Sequence, residues 1–297
     1  GLVDEYIDEV KSTWNATTNG ALEADLHPRR RMDSIPVRCD LDRHWDELPA
    51  EECEITCHDA GLFERVDREG VYPTTSAPSP GQFAQAFQGA FGEGAEQVVC
   101  LCVSSKVSAT YGAALQGVEM LDGGDVTVVD TETLSMAQGF MALAAAEAAA
   151  KGAEVGEVVR IAMDVGERTR LYASLATLKY LAMGGRVPHL QANVANLLNV
   201  KPILTVRDGT LDLLERVRTQ KKSWARVVEL AVESADGKPV ERMAMVHISA
   251  PAAAGQLEQM LHEEYDFPKD VITSELTPGL SVHGGVGMVG VCLLLGA

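Results

Sequence analysis

Between residues 97 and 152 the chain alternates short apolar runs with longer stretches of helical spacing. Gln97-Val-Val-Cys-Leu-Cys-Val103 is an apolar run of buried-strand length after its first residue. A helix through Ala113, Ala114 and Val118 follows, then a Gly123-Gly124 turn and a strand at Val126-Thr-Val-Val129. The next stretch is rich in alanine and predicts a long helix ending at Lys151-Gly152. Strands and helices in this order predict a parallel α/β sheet.

Upstream the pattern is weaker. Leu2, Tyr6, Ile7 and Val10 suit a short amphipathic helix, and Ser34-Ile-Pro-Val-Arg38 a short strand. The acidic stretch 40–54 predicts a solvated loop or surface strand, and 61–68 a helix. Downstream, a helix at about 154–168 leads to a strand-like Leu171-Tyr-Ala-Ser-Leu175 and a short helix. Asp208-Gly209 lies between two apolar runs and predicts a hairpin. A helix starts near Lys221, a strand spans 242–249 whose alternating Met243 and Met245 read as core residues in preference to pocket wall, and 252–265 is helical. An apolar segment opened by His283-Gly-Gly-Val-Gly287 closes the chain. This second half predicts an α+β arrangement.

Three strand or helix ends carry clustered hydroxyls. Tyr72-Pro-Thr-Thr-Ser-Ala-Pro-Ser-Pro80 is stiffened by its prolines, with Ser79 as N-cap and Pro80 as first helical residue. Ser104-Ser-Lys-Val-Ser-Ala-Thr-Tyr111 follows the first strand directly. Asp130-Thr-Glu-Thr-Leu-Ser-Met136 follows the second, where Ser135-Met136 reads as a cap or a pocket wall. Ligands in open α/β sheets sit beyond the carboxyl ends of strands, so the first two loops are expected to face one small anion. The other reading of the first loop is a capped turn that only starts a helix.

A length of 297 residues allows a large core and predicts two domains, at 1–160 and 161–297. A formal charge of −18 argues against nucleic acid and against adsorption to anionic membranes. No run of 18 apolar residues suggests a transmembrane helix, and the opening residues carry no basic-then-apolar leader. With six cysteines in no disulfide framework, a cytoplasmic location is expected. Cys100 and Cys102 read as small core residues pointing the same way, whereas Cys53-x-x-x-Cys57-His58 is a poor metal spacing. His247 reads as a core histidine, and Lys221-Lys222 as a solvated helix face or a docking patch. The glycines near 284–290 do not follow a strand, which argues against dinucleotide binding.

Taken in order, Pro73 to Pro80, Ser104 to Tyr111, Val129-Asp-Thr with Ser135-Met136, Leu181 to Arg186, Leu197 to Leu204, and His283 to Gly287 resemble the DegV family of bacterial fatty-acid-binding proteins. The likeness covers roughly 33–297. It implies a two-domain DegV-like α/β fold, with a Rossmann-like parallel sheet in the first domain and an α+β second domain. One long-chain fatty acid is then expected in an apolar pocket between them, with no cofactor and no metal. The resemblance puts the carboxylate near Thr75, Ser76, Ser105, Ser108, Ala109, His283 and Gly284. Arg186 and Arg218 match arginines linked to docking or phosphorylation by a separate fatty acid kinase, which makes acyl phosphate for phospholipid synthesis. Two departures stand out. The family's amino-terminal Asp-Ser-Thr turn has only Asn15 to Asn19 or Glu23 to Leu26 as counterparts, and Ala109 replaces a common glycine. The expected activity is binding without turnover. The alternative is a hydrolase using Ser108 as nucleophile and His283 as base, although no Gly-x-Ser-x-Gly elbow is present.

Overall fold

The computed structural model of the chain describes residues 39–40, 63, 74–186 and 200–297. Several expectations lie outside those residues: the amino-terminal helix, the strand at 34–38, the loop at 40–54, most of the helix at 61–68, the Cys53, Cys57, His58 spacing, Tyr72-Pro73, and 187–199.

The described strands are β1 (Cys39–Asp40), β2 (Thr74–Thr75), β3 (Gln97–Cys102), β4 (Asp125–Asp130), β5 (Thr169–Ser174), β6 (Lys201–Arg207), β7 (Thr210–Val217), β8 (Val240–His247), β9 (Val271–Glu275) and β10 (Val289–Leu295). The helices are α1 (Pro80–Gly92), α2 (Thr110–Glu119), α3 (Ser135–Ala150), α4 (Val155–Arg168), α5 (Lys179–Met183), α6 (Gln220–Ala235), α7 (Pro251–Glu264) and α8 (Pro278–Gly284).

β3 and β4 pair in parallel, as their separation by a helix predicts. β1 and β2 pair antiparallel. The remaining strands form a six-stranded sheet in the order β7-β6-β5-β10-β8-β9, in which β10 runs antiparallel to β5 and β8, and β9 parallel to β8. The α/β class holds.

β10 explains why the chain ends on a continuous apolar run. It is central, buried along its whole length, and covered on both faces. Cys292 and Leu294 face the core built with α3 and α4, where Phe140, Met141, Ala162 and Val165 are buried. Val291 and Leu293 face the opposite core, where Val227 and Ala231 of α6 meet Leu257 and Leu261 of α7. Met243 and Met245 belong to that second core, as expected.

The α3–α4 pair also touches the parallel sheet. Val99 and Leu101 of β3 pack on it, and Gln138 Nε2 donates to the Leu101 carbonyl at 2.9 Å. The other face of β3 carries Cys100 and Cys102, whose sulfurs stand 3.6 Å apart against Phe83 and Phe87 of α1. The Cys100 contact and then burial raise the Cys102 pKa, so the thiol stays protonated. Residues 160 and 161 fall inside α4, not in a linker.

Local rules account for several ends. Ser79 caps α1 with a capping box to Gln82, and Pro80 occupies its first turn. Asp208 and Gly209 take φ of 49° and 74°, so both central residues of the β6–β7 turn are left-handed, as a tight hairpin requires. Among the described residues no helix is long and apolar enough to cross a membrane.

Candidate functional site

The first hydroxyl loop ends against α8. β2 carries Thr75 to the carboxyl end of that helix, where Thr75 Oγ1 and His283 Nε2 form a 3.1 Å hydrogen bond. Thr277 precedes Pro278 at the start of α8, an extended residue followed by a helix-compatible proline. Gly285 then leaves the helix with φ of 78°, and a Cβ there would strike the Tyr180 ring at 2.1 Å. Tyr180 sits on α5 and packs edge-on against Phe63, ring centroids 5.5 Å apart.

α5 delivers the cation of this corner. It ends in Gly184-Gly185, and the chain turns so that Arg186 Nη1 donates to the Gly184 carbonyl at 2.6 Å. Nη2 of the same side chain reaches Thr75 Oγ1 at 3.5 Å, the limit of a hydrogen bond. Gly184 has no room for a side chain, because a Cβ would lie 2.2 Å from His283 Nδ1. That Nδ1 is buried and has no hydrogen-bond partner among the described residues.

These surroundings fix the charge on His283. Burial is the larger cause and the nearby Arg186 guanidinium the second, and together they pull its pKa down to about 4. The ring is therefore neutral near pH 7. His247 is also lowered, by burial, against the opposing pull of Glu275. It lies in the buried end of β8 and accepts from the Ala250 amide at 3.5 Å.

The second hydroxyl loop is built differently. Ser108 Oγ pairs with Thr110 Oγ1 at 2.7 Å and accepts from the Thr110 amide at 3.3 Å. The Ser105 amide donates to Asp130 Oδ1, which also accepts from the Glu132 amide and so couples the two strand-end turns. Ala109 is the N-cap of α2 and supplies no side-chain bond, whereas α1 is capped by its own serine. Ser79 thus caps α1, as the capped-turn reading expects, and at the start of α2 the Thr110 amide is met by Ser108 Oγ instead of by the N-cap residue.

Of the expected site residues, Thr75, His283 and Arg186 meet, with Gly284 beside His283 in α8 and against Ile248. Ser76 follows Thr75 and is exposed. Ser105, Ser108 and Ala109 lie together on the second loop, where the Ser105 amide bonds Asp130 and the Ser108 hydroxyl bonds Thr110, both within the strand-end turns. Arg218 is exposed, just ahead of Thr219, the N-cap of α6. Ser135 is not a cap: it takes φ of 57° at the first position of α3, its hydroxyl buried and without a partner among the described residues, while Met136 is core. A surface depression of about 630 Å³ lined by His262, Tyr265, Phe267 and Lys269 contains none of the expected residues. Among the described residues no cluster of three metal-ligating side chains occurs.

Sequence reasoning missed Ser104 and the Asp208-Gly209 tip as partners. Ser104 is wholly buried and donates to the Gly209 carbonyl at 2.6 Å, and Lys106 Nζ reaches the Asp208 carbonyl at 2.7 Å. The only signal was a serine one place before the expected ligand residues. The helix α8 was also missed, although Thr277-Pro278 is a usable start signal.

Comparison with known proteins points to one family. The sequence model of the DegV family matches residues 28–295. A DegV domain-containing protein of Streptomyces coelicolor is 38% identical over 218 residues, covering 73% of this chain and 77% of the relative. A fatty-acid-binding DegV family protein from Thermus thermophilus superposes with a TM-score of 0.78 at 29% identity, covering 96% of this chain and 97% of that one. DegV of Bacillus subtilis, a fatty acid binding protein, gives a TM-score of 0.73 at 28% identity, with 90% and 92% covered.

Proposed function

This chain belongs to the DegV family, and from that premise we propose that it binds one long-chain fatty acid without turning it over. The observation that carries the reading is the corner made by Thr75, His283 and Arg186. A carboxylate entering an apolar cavity must replace its lost water with donors, or desolvation costs several kcal/mol. Thr75 supplies a hydroxyl, Arg186 a partly buried cation, and His283 a neutral ring bonded to Thr75 Oγ1. Ser76 and Gly284 adjoin this corner, and Ser105, Ser108 and Ala109 supply hydroxyls and helix N–H groups from the second loop. The acyl tail would contribute on the order of 10 kcal/mol gross for about fourteen methylenes, before binding costs. Affinity then comes from the tail and orientation from the head. The pocket then lies between an amino-terminal unit containing β3 and β4 and a carboxy-terminal unit containing the six-stranded sheet.

A fatty acid kinase that accepts this acid at its exposed carboxylate is the partner we infer, with Arg218 on the docking surface and Arg186 at the head group. The serine hydrolase reading gains no support, because Ser108 Oγ is engaged by Thr110 and His283 Nε2 by Thr75. Such a hydrolase needs the serine and histidine bonded to each other. Native mass spectrometry tests the binding reading. A mass increment equal to one long-chain acid, lost on denaturation and restored by adding palmitate, is expected. A chain that stays ligand-free with palmitate in excess contradicts it.

A further inference from the structure

Ser104 has every polar group committed. Its amide donates to the Thr133 carbonyl at 2.9 Å, and its carbonyl accepts from the Val107 and Ser108 amides at 3.1 Å each. Its hydroxyl donates to the Gly209 carbonyl and accepts from the Lys106 amide at 3.3 Å. The residue is wholly buried, and the bond to Gly209 spans 105 positions of sequence. The approach is close: a Cβ on Gly209 would lie 2.8 Å from Ser104 Oγ and 3.1 Å from Lys106 Cδ. Lys106 adds its bond to the Asp208 carbonyl and an exposed pair with Glu132 at 3.1 Å. The geometry points to Ser104 as a positioning residue that docks the 105–108 loop onto the β6–β7 turn and so sets the residence time of the bound acid. This rests on the fatty-acid reading above.

The physical reason is preorganisation. The Ser104 carbonyl holds the Ser108 amide, so the orientation of the second hydroxyl loop depends on where Ser104 is held. Without the Gly209 bond, the loop must be ordered each time the acid is bound, which lowers affinity without removing a ligand contact. Differences of this kind between variants of one site fall mainly on dissociation. The exposed Lys106–Glu132 pair adds little, since surface ion pairs are weak. The buried hydroxyl bond carries the effect, because its loss leaves the Gly209 carbonyl unpaired.

The test measures release of radiolabelled palmitate together with amide exchange over 104–110. Ser104→Ala is expected to speed release on the order of tenfold and to speed exchange of that loop, with the rate of association unchanged. Lys106→Met, a surface change that leaves the fold intact, is expected to speed release by roughly threefold. Release at the wild-type rate in both variants overturns the inference while leaving fatty-acid binding standing. A lowered melting temperature with unchanged release overturns it as well, since that is a purely structural role. Wild-type protein that takes up no palmitate overturns the binding reading itself and this inference with it.

Discussion

Thr75 and His283 stand 208 residues apart in the chain and meet through one 3.1 Å hydrogen bond. The bond joins the first hydroxyl loop to the last helix before the terminal strand. Thr75 Oγ1 stands within reach of both His283 and Arg186. In the tautomer with the proton on Nε2, His283 donates to Thr75 Oγ1 and leaves the threonine proton free for another acceptor.

Replacing Thr75 by valine keeps the shape and removes that proton. Palmitate affinity is expected to fall by about 1–3 kcal/mol, roughly five- to 150-fold, as measured by calorimetry. Unchanged affinity would take Thr75 out of the head-group site.

Gly184→Ala is expected to push the His283 ring away from Thr75, since the new methyl would overlap Nδ1. Overpacking of this kind costs about 1–3 kcal/mol. Both the melting temperature and palmitate affinity should drop, and the affinity loss should be absent when Thr75 is already valine. Additive losses in the double variant would contradict the shared mechanism.

The depressed His283 pKa predicts a pH dependence of stability. The unfolded chain binds a proton at His283 as pH falls below about 6.5, whereas the folded chain does so only near 4. Stability from this group is therefore complete above 6.5 and is lost as pH falls through that window. The loss is on the order of 3 kcal/mol at most. Denaturant unfolding between pH 4 and 7 should show this slope in the wild type and a flatter one in His283→Gln. Equal slopes would contradict the assignment.

Two arginines should separate by role. Arg186→Gln is expected to weaken palmitate binding several-fold, because the half-buried guanidinium faces Thr75. Arg218→Ala should leave binding intact and slow phosphorylation by a fatty acid kinase. Calorimetry and a coupled kinase assay distinguish them, and the reverse pattern would exchange their roles.

Much of the fold was legible because local chemistry fixed it. Asp208-Gly209 gave the hairpin, Ser79-Pro80 the start of α1, and the apolar run at 97–103 a buried strand. The methionines of β8 read correctly as core because alternation places them on one face. The site was less legible, since its contacts are long-range. Nothing near Thr75 announces His283, and nothing near Ser104 announces Gly209. The resemblance to DegV proteins pointed to Thr75 and His283 as head-group residues and to Arg186 as a docking arginine, but not to the bonds that bring the three together. Ser135 shows the opposite limit: a serine after a strand suggests a cap, yet its left-handed backbone turns the hydroxyl inward.

The most direct measurement is a crystal structure of the protein grown with palmitate. A carboxylate oxygen within hydrogen-bonding distance of Thr75 Oγ1, with the tail running between the two halves of the chain, is the predicted result. Density for the acid on another surface, or a carboxylate pointing away from Thr75 and His283, would contradict the account.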